Sequence, residues 1–478
     1  QVDLAGKAPI RSRKLERLQR SGKVREAPAA ASFRVDVGIP ANGPAPHVVV
    51  VGAGPGGLFA ALSAAESGAR VTLLERGEPI ERRGRKVVAF HRGGEPDPDN
   101  NLLFGDGGAG TYSDGKLYTR ISDSLEFSVI QELIDAGAPE DIAYDARAHI
   151  GTDRLHRMLP KLRARLESVG VRVTGLVQAS GSTGASRIRA VATTAGEVTL
   201  DSLVLCIGHS ARDTWAQLLE EGVRLESKPF QLGVRIEHPQ ELITRGRYGA
   251  AIGDALGPAS YNLQSKGRPP AHSFCMCPGG RIVASVNEPR RLCTNGMSNS
   301  KHSSRWANAA LVTTLGPAEF AAFGFEGPLA GVEFQRDLEE RFFVAGGETY
   351  RAPGQRAHDF RQGTESSGEM KTSYGFGAAP ARIDQLLPAQ VRDAIREALE
   401  RFDRTIPGFG GPEGLLVGIE TRGAGPVRTT RDRETRRAVG FENRRPAGEG
   451  AGYAGGIMSA AIDGARSAQD AVRAAVSG

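Results

Sequence analysis

The hydrophobic pattern is sharpest between His47 and Glu75. Val48 to Val51 form a short apolar run, a glycine turn follows, and Gly56 to Ser67 carry small apolar residues at helical spacing. A second apolar run then ends at Glu75. Strand, turn, helix and strand in this order predict a βαβ unit. Further on, Leu155, Met158, Leu159, Leu162 and Leu166 recur at helical spacing, and Gly170–Val173 reads as a strand. A hairpin is expected near 174–201, then the apolar strand Leu203–Ile207. From about Thr214 to Arg404 the pattern changes to short alternating strands, such as Leu232–Glu237. Ser273–Cys277 and Arg281–Val286 flank Pro278-Gly-Gly280 and predict a hairpin. Leu387–Phe402 reads as a helix, and the chain ends in a glycine-rich stretch, 446–456, followed by the small-residue helix Ile457–Val472. Residues 78–125 show little periodicity and much Gly, Pro, Asp and Asn, which predicts a long ordered loop.

The turn after the first strand carries chemistry. Gly52, Gly54 and Gly57 stand at G-x-G-x-x-G spacing. Gly52 permits the tight turn, Gly54 lets backbone approach a pyrophosphate, and Gly57 lets helix pack on strand. The helix start offers free N–H groups and a favourable dipole to phosphates. Glu75 ends the second strand, where a carboxylate can accept bonds from both ribose hydroxyls. Gly105, Gly107 and Gly110 share the spacing, but no apolar strand precedes them and no periodic helix follows, so they are not a second nucleotide turn.

Length and composition narrow the class. At 478 residues the chain predicts two domains, or one large α/β unit with an insertion. Its 62 glycines lower the apolar share to 40%, still ample for a globular enzyme core. Cys206, Cys275, Cys277 and Cys293 are too few and scattered for a disulfide scaffold, which points to a reducing cytoplasm. The uncharged run 48–65 is broken by its glycine-proline turn and is read as strand plus helix, not as a membrane span. No signal peptide is seen, and the opening Gln1 reads as a processed or trimmed end. The net charge of +6 is concentrated at the start: residues 1–26 carry +5 and the other 452 about +1. A terminal basic arm is favoured over a nucleic-acid surface, which spreads its charge over a folded face.

These segments together resemble the FAD-dependent oxidoreductases of the glutathione-reductase-like superfamily, and within it the bacterial family of FAD-dependent dehydrogenases. The resemblance rests on Val51–Leu62, Gly107–Leu117, Ile207–Thr214, Lys228–Phe230 with Gly233–Pro239, Phe274–Gly280, and Gly448–Gly456. It implies an α/β fold: a Rossmann-like FAD-binding domain built from both chain ends (47–213 and 406–478), with an inserted, mostly antiparallel β substrate domain (214–405) behind a basic segment and linker (1–46). It also implies FAD contacts from Gly52, Gly54, Pro55, Gly56, Gly57, Glu75, Arg76, Gly108, Ala109, Gly110, Thr111, Val173, Gly208, Gly448, Glu449, Gly450, Gly456 and Ile457. Two departures stand out. Such proteins usually carry a longer N-terminal domain, and Gly423, Ala424 and Gly425 stand where the family loop has serines and threonine, so the resemblance implies a less polar lining there and a substrate that could differ from the relatives'.

The activity expected is hydride transfer between a small organic substrate and flavin, as a dehydrogenase or reductase. No second strand–glycine turn–helix unit serves a resident nicotinamide, so NAD(P)H enters the picture only as a transient electron donor. The alternatives are an FAD monooxygenase, whose usual Asp-Gly motif is not found in the right context, and a flavoprotein acting on RNA through its basic start. Candidate catalytic groups are His209, at the C-terminal end of a strand, and Lys116 and Arg422, which could pair with a substrate acid or with flavin. A histidine bonded only to backbone, and solvated surface cations, are the competing readings. The C-x-C of Cys275 and Cys277 on a strand places both thiols on one face. That spacing differs from the usual redox C-x-x-C and lacks further metal ligands, so both are read as small buried hydrophobes. No metal is expected, and nothing is read about oligomeric state.

Overall fold

The computed structural model describes residues 16–17, 20–21, 31–38, 44–119, 121–145, 148–174, 186–249 and 256–477. Most of the basic segment 1–26 therefore lies outside the described residues.

Strand β1 (His47–Val51), helix α1 (Pro55–Glu66) and strand β2 (Arg70–Leu74) form a parallel βαβ unit, with Val48 opposite Val71 and Val51 opposite Leu74. Helix α2 (Ile80–His91) follows, then α3 (Leu125–Asp135), α4 (Thr152–Ser168) and β3 (Arg172–Thr174). A hairpin of β4 (Ala190–Thr193) and β5 (Gly196–Thr199) leads to β6 (Ser202–Leu205) and α5 (Arg212–Glu220). Val48, Val49 and Val50 of β1 are wholly buried because both faces of the sheet are covered, which is why the strand reads as a continuous apolar run. Val48 and Val50 join one core with α1, while Val49 faces the other with Leu203 and Trp215.

The next stretch builds a second sheet. After β7 (Leu225–Ser227) come β8 (Phe230–Pro239), β9 (Ala271–Cys277), the short β10 (Arg281–Ala284) and β11 (Thr294–Met297), then β12 (Trp306–Leu315). Helix α6 (Ala330–Ala345) precedes β13 (Ala352–Arg356) and β14 (Ala378–Pro380). Helix α7 (Ala389–Thr405) leads to β15 (Leu415–Glu420), and β16 (Val427–Thr429) pairs back with β7. The six-stranded order is β14-β13-β15-β8-β12-β9, antiparallel except between β13 and β14.

Strand β17 (Arg444–Pro446) and helix α8 (Ile457–Ser477) then return the chain to the first sheet, whose order is β17-β6-β1-β2-β3, all parallel. Helix α8 lies along α1 so closely that a side chain at Gly464 would overlap the Gly56 carbonyl. Small residues on both helices allow this approach.

Three expectations change. The segment 78–125 contains α2, whose buried positions are Ile80, Arg83, Val87 and Phe90. A buried arginine on the inner face hid the helical period. Next, β9 and β10 do not form a hairpin: β9 pairs with β12 and β10 with β11. Gly279 turns the chain between them at φ +51, where a side chain would overlap the His302 carbonyl. Finally, the second sheet runs past residue 405, since β15 pairs with β8 and β13.

Candidate active site

Three glycine-rich segments meet at the C-terminal ends of β1 and β6. In the first, Gly52 has φ +99, and a side chain there would overlap the Cys206 carbonyl. A side chain at Gly57 would overlap the Gly52 carbonyl. Gly54 is different: the nearest atom to a Cβ there is Gly108 Cα, at 3.8 Å. Two glycines therefore serve packing and the middle one leaves a space. Pro55 opens α1, whose first turn carries no side-chain cap and no acid. Its leading N–H groups, including those of Gly56 and Gly57, keep the donors that a phosphate oxygen needs.

The second segment crosses the first. Gly107 N–H donates to Ala53 O at 2.9 Å, and a Cβ at Gly108 would stand 3.1 Å from Gly54 Cα. Gly110 lies against Pro55 and Ile457, with Ala109 beside it, and Thr111 Oγ1 donates to Asp106 O at 3.2 Å. Arg83 makes this loop rigid. Buried on α2, it donates to the carbonyls of Asn101 (2.9 Å), Asp106 (2.7 Å) and Gly108 (3.0 Å). Sequence reasoning missed Arg83, and its only signal was its place in the period of Ile80, Val87 and Phe90.

The third segment closes the circle. Gly450 packs on Gly208 and Ile207, and its carbonyl accepts from Trp215 Nε1 at 2.9 Å. Gly448 N–H donates to Asp463 Oδ2 at 2.8 Å, and Asp463 is held by Arg431 at 2.6 Å. Gly208 (φ +75) and Gly456 have no neighbour within 4 Å of a Cβ position.

Other expected nucleotide contacts have partners of their own. The Glu75 carboxylate accepts from Ala53 N–H (2.7 Å) and Gly77 N–H (2.9 Å), so it also braces the turn and keeps one lone pair per oxygen for a ligand. Arg76 pairs with Asp99 (2.7 Å) and Asp213 (2.9 Å) and lies over the Phe104 ring, which makes it a wall of the site and not a free cation. Val173 sits on edge strand β3, paired with Leu73.

His209 follows β6; its Nε2 stands 3.7 Å from Glu449 Oε2, and its Nδ1 bonds Ser210 Oγ at 2.8 Å. Burial, and then the Arg422 guanidinium, pull its pKa down to about 4, so the ring is neutral near pH 7. Burial pushes the Glu449 carboxyl up to about 7 against the pull of Lys228. Glu449 therefore titrates near neutrality. Gly425 packs on His209 and Trp215, and a Cβ at Gly423 would stand 3.5 Å from the Phe274 ring, so the loop 423–425 spans from His209 to β9.

The other two candidate catalytic residues are ion-paired. Arg422 is buried; its Nε and Nη2 hold Glu339 at 3.0 and 2.8 Å, and Arg212 holds the same carboxylate at 2.7 Å. Burial would lower its pKa, but Glu339 raises it further, so Arg422 keeps its proton and shapes the loop without acid–base work. Lys116 Nζ pairs with Asp114 at 2.6 Å and donates to Met276 O at 2.6 Å. Burial opposes its charge, but the Cys275 and Cys277 sulfurs and Asp114 outweigh it, so this lysine stays cationic. Both residues are corrected from acid–base groups to fixed charges, because each found a buried anion.

Asp114, His149 and His302 bring potential ligand atoms within 4.8 Å of one another. The two imidazoles, however, stack with centroids 4.5 Å apart and planes 20° from parallel, so their lone pairs do not converge. The Lys116 ammonium already neutralises Asp114. The cluster is a salt-bridged wall.

The cysteines of β9 also depart from the expectation. Between Phe274 and Cys277 the strand carries one residue more than β12 opposite it, and Cys275 takes φ +46. This bulge breaks the alternation: Cys275 is part-exposed while Cys277 is buried.

Comparison with known proteins agrees with this arrangement. A family described as "FAD dependent oxidoreductase" matches residues 47–80, and one described as "FAD-dependent protein, C-terminal domain-like" matches residues 229–423. Over 430 residues the chain is 41% identical to an uncharacterized protein of Clostridium beijerinckii, covering 88% of this chain and 80% of that one. This chain belongs to the FAD-dependent oxidoreductases. FAD is its cofactor. Among solved structures, CtdE in complex with FAD aligns at a TM-score of 0.36 with 11% identity, over 88% of this chain and 83% of that one. NikD, an unusual amino acid oxidase, aligns at 0.35 with 12% identity, over 90% and 94%. Likenesses this distant carry no argument about chemistry. The match to 229–423 includes β15, as the second sheet does. Among the described residues, no helix is long and apolar enough to cross a membrane.

Proposed function

We propose that this FAD-dependent oxidoreductase is a dehydrogenase or reductase of the glutathione-reductase-like superfamily, moving a hydride between a small organic substrate and its flavin. The observation that carries the reading is the meeting of residues 52–57, 107–111 and 448–457 at one end of the parallel sheet, the place where open α/β folds bind nucleotides. Bound FAD supplies the two-electron chemistry; the chain binds, orients and handles protons.

In this reading the unit formed by 47–213 and the residues after β15 holds FAD, and the sheet from β8 to β15 shapes the substrate side. The start of α1, with Gly54 and Gly108, holds the pyrophosphate, and Glu75 takes the adenosine ribose. Gly448, Glu449 and Gly450 stand at the flavin edge. The substrate lies beside His209 and Glu449, against a wall formed by Gly423–Gly425 and Phe274. Glu449 Oε2 holds or releases the proton that accompanies hydride transfer, and neutral His209 at 3.7 Å orients it.

The decisive measurement is anaerobic spectroscopy of the purified protein. FAD is expected to be released on heating, and a small organic substrate is expected to bleach the bound flavin without NAD(P)H. Bleaching by NAD(P)H alone, with every organic candidate inert, would overturn the dehydrogenase direction. NAD(P)H-dependent oxygen consumption that yields a hydroxylated product would replace it with a monooxygenase.

A further inference from the structure

Residue by residue, contacts lead from the flavin cradle to Cys275. Trp215 bonds the Gly450 carbonyl, Gly425 packs on Trp215, and Gly423 of the same loop faces Phe274, the neighbour of Cys275. From the other flank, the loop of Gly108–Thr111 runs on to Lys116, whose Nζ stands 3.9 Å from Cys275 Sγ. The dithiol is thus reached from both walls of the proposed cradle. Its surroundings are unusual for two cysteines that merely fill space. Cys275 is the part-exposed sulfur at the bulge and Cys277 the buried one. The Cys277 sulfur lies 3.3 Å from Cys275 O and within hydrogen-bonding reach of Cys275 Sγ. Arg235, buried with Glu420 at 3.0 Å, places Nη2 3.1 Å from Cys275 O and 3.9 Å from Cys277 Sγ. A strained backbone at a non-glycine residue persists only where its surroundings enforce it, and it re-aims the side chain.

We propose that Cys275 and Cys277 are a redox-active dithiol that exchanges two electrons with the flavin, Cys275 being the attacking sulfur and Cys277 the resolving one. This rests on the placement of FAD given above. In the oxidising direction the Cys275 thiolate and the Cys277 thiol form one S–S bond. Two electrons, the Cys277 proton and one proton from solvent pass to oxidised flavin, leaving reduced flavin and a disulfide. The reverse step reduces the disulfide. The charge environment suits the assignment. The hydrogen bond from Cys277 and the Lys116 and Arg235 cations overcome burial to bring the Cys275 thiol below the ordinary thiol range, while Cys277 stays well above it.

The test is an anaerobic dithionite titration of the air-oxidised, FAD-loaded protein, with peptide mapping of unreacted and reduced samples. The wild-type protein is expected to take up about four electrons per flavin, two for the ring and two for the disulfide. C275S and C277S are each expected to take up about half as many, and mapping is expected to find a Cys275–Cys277 disulfide only before reduction. Uptake of about two electrons by the wild-type protein, with both cysteines alkylated in the unreduced sample, overturns the proposal and leaves the FAD reading intact. Should a variant fail to fold, the wild-type electron count and peptide map decide alone.

Discussion

The two sheets place their charges differently. At the proposed cradle beside the parallel sheet the available groups are mostly backbone N–H donors, at the start of α1 and around Gly108; β1 and β2 are rich in valine and leucine, and the buried arginines of this sheet lie on its edge strand β17, where Arg444 pairs with Glu221 at 2.6 Å and Arg445 donates to Ser202 at 2.8 Å. Around the antiparallel sheet the interior holds Arg235 with Glu420, and Glu339 between Arg212 and Arg422. Backbone donors do not titrate and cannot be deleted by changing a side chain. Buried ion pairs can lose a partner, and the remaining charge then stays in a medium that does not solvate it. The cradle is therefore vulnerable to steric change, and the substrate side to loss of charge.

That contrast can be broken in stages. The largest effect is expected from Glu339→Gln. It leaves two buried guanidiniums without their shared anion and should cost about 3–5 kcal/mol of stability by chemical denaturation. A loss of under 1 kcal/mol would mean that the arginines find another counter-charge. Gly57→Ala comes next. Its methyl group meets the Gly52 carbonyl, so a loss of about 1–3 kcal/mol is expected together with weakened FAD retention on gel filtration. Full retention of FAD at unchanged stability would remove Gly57 from the packing argument.

Glu449→Gln should change pH dependence more than stability. The folded carboxyl titrates near 7, above its ordinary value of 4.5. Its contribution is therefore fully present below about pH 4.5 and is lost as pH rises through about 7. The wild-type rate profile should bend near pH 7, and E449Q should flatten that limb. The smallest effect is expected from His209→Gln. The ring is neutral at pH 7, so it acts by orienting Glu449, and turnover should fall about tenfold or less with FAD still bound. A loss of several orders of magnitude would make His209 an acid–base group after all.

Local rules account for what could be read early. The βαβ unit, the roles of Gly52 and Gly57, helices α1, α4, α7 and α8, and the strand that became β8 follow from periodicities of two and 3.6 and from the sterics of a missing Cβ, all within a few residues. Helix α2 was missed because its inner face carries Arg83, and polar satisfaction of that guanidinium comes from carbonyls 18 to 25 residues away. The order of apolar runs and the spacing of Gly52, Gly54 and Gly57 were enough to predict an α/β core with a nucleotide turn. Tertiary structure decided which charges meet: Arg422 finds Glu339 83 residues away, and Lys116 approaches Cys275 across 159 residues. A pKa, an ion pair or a thiol's reactivity depends on distance through space and on burial, and no spacing along the chain encodes either.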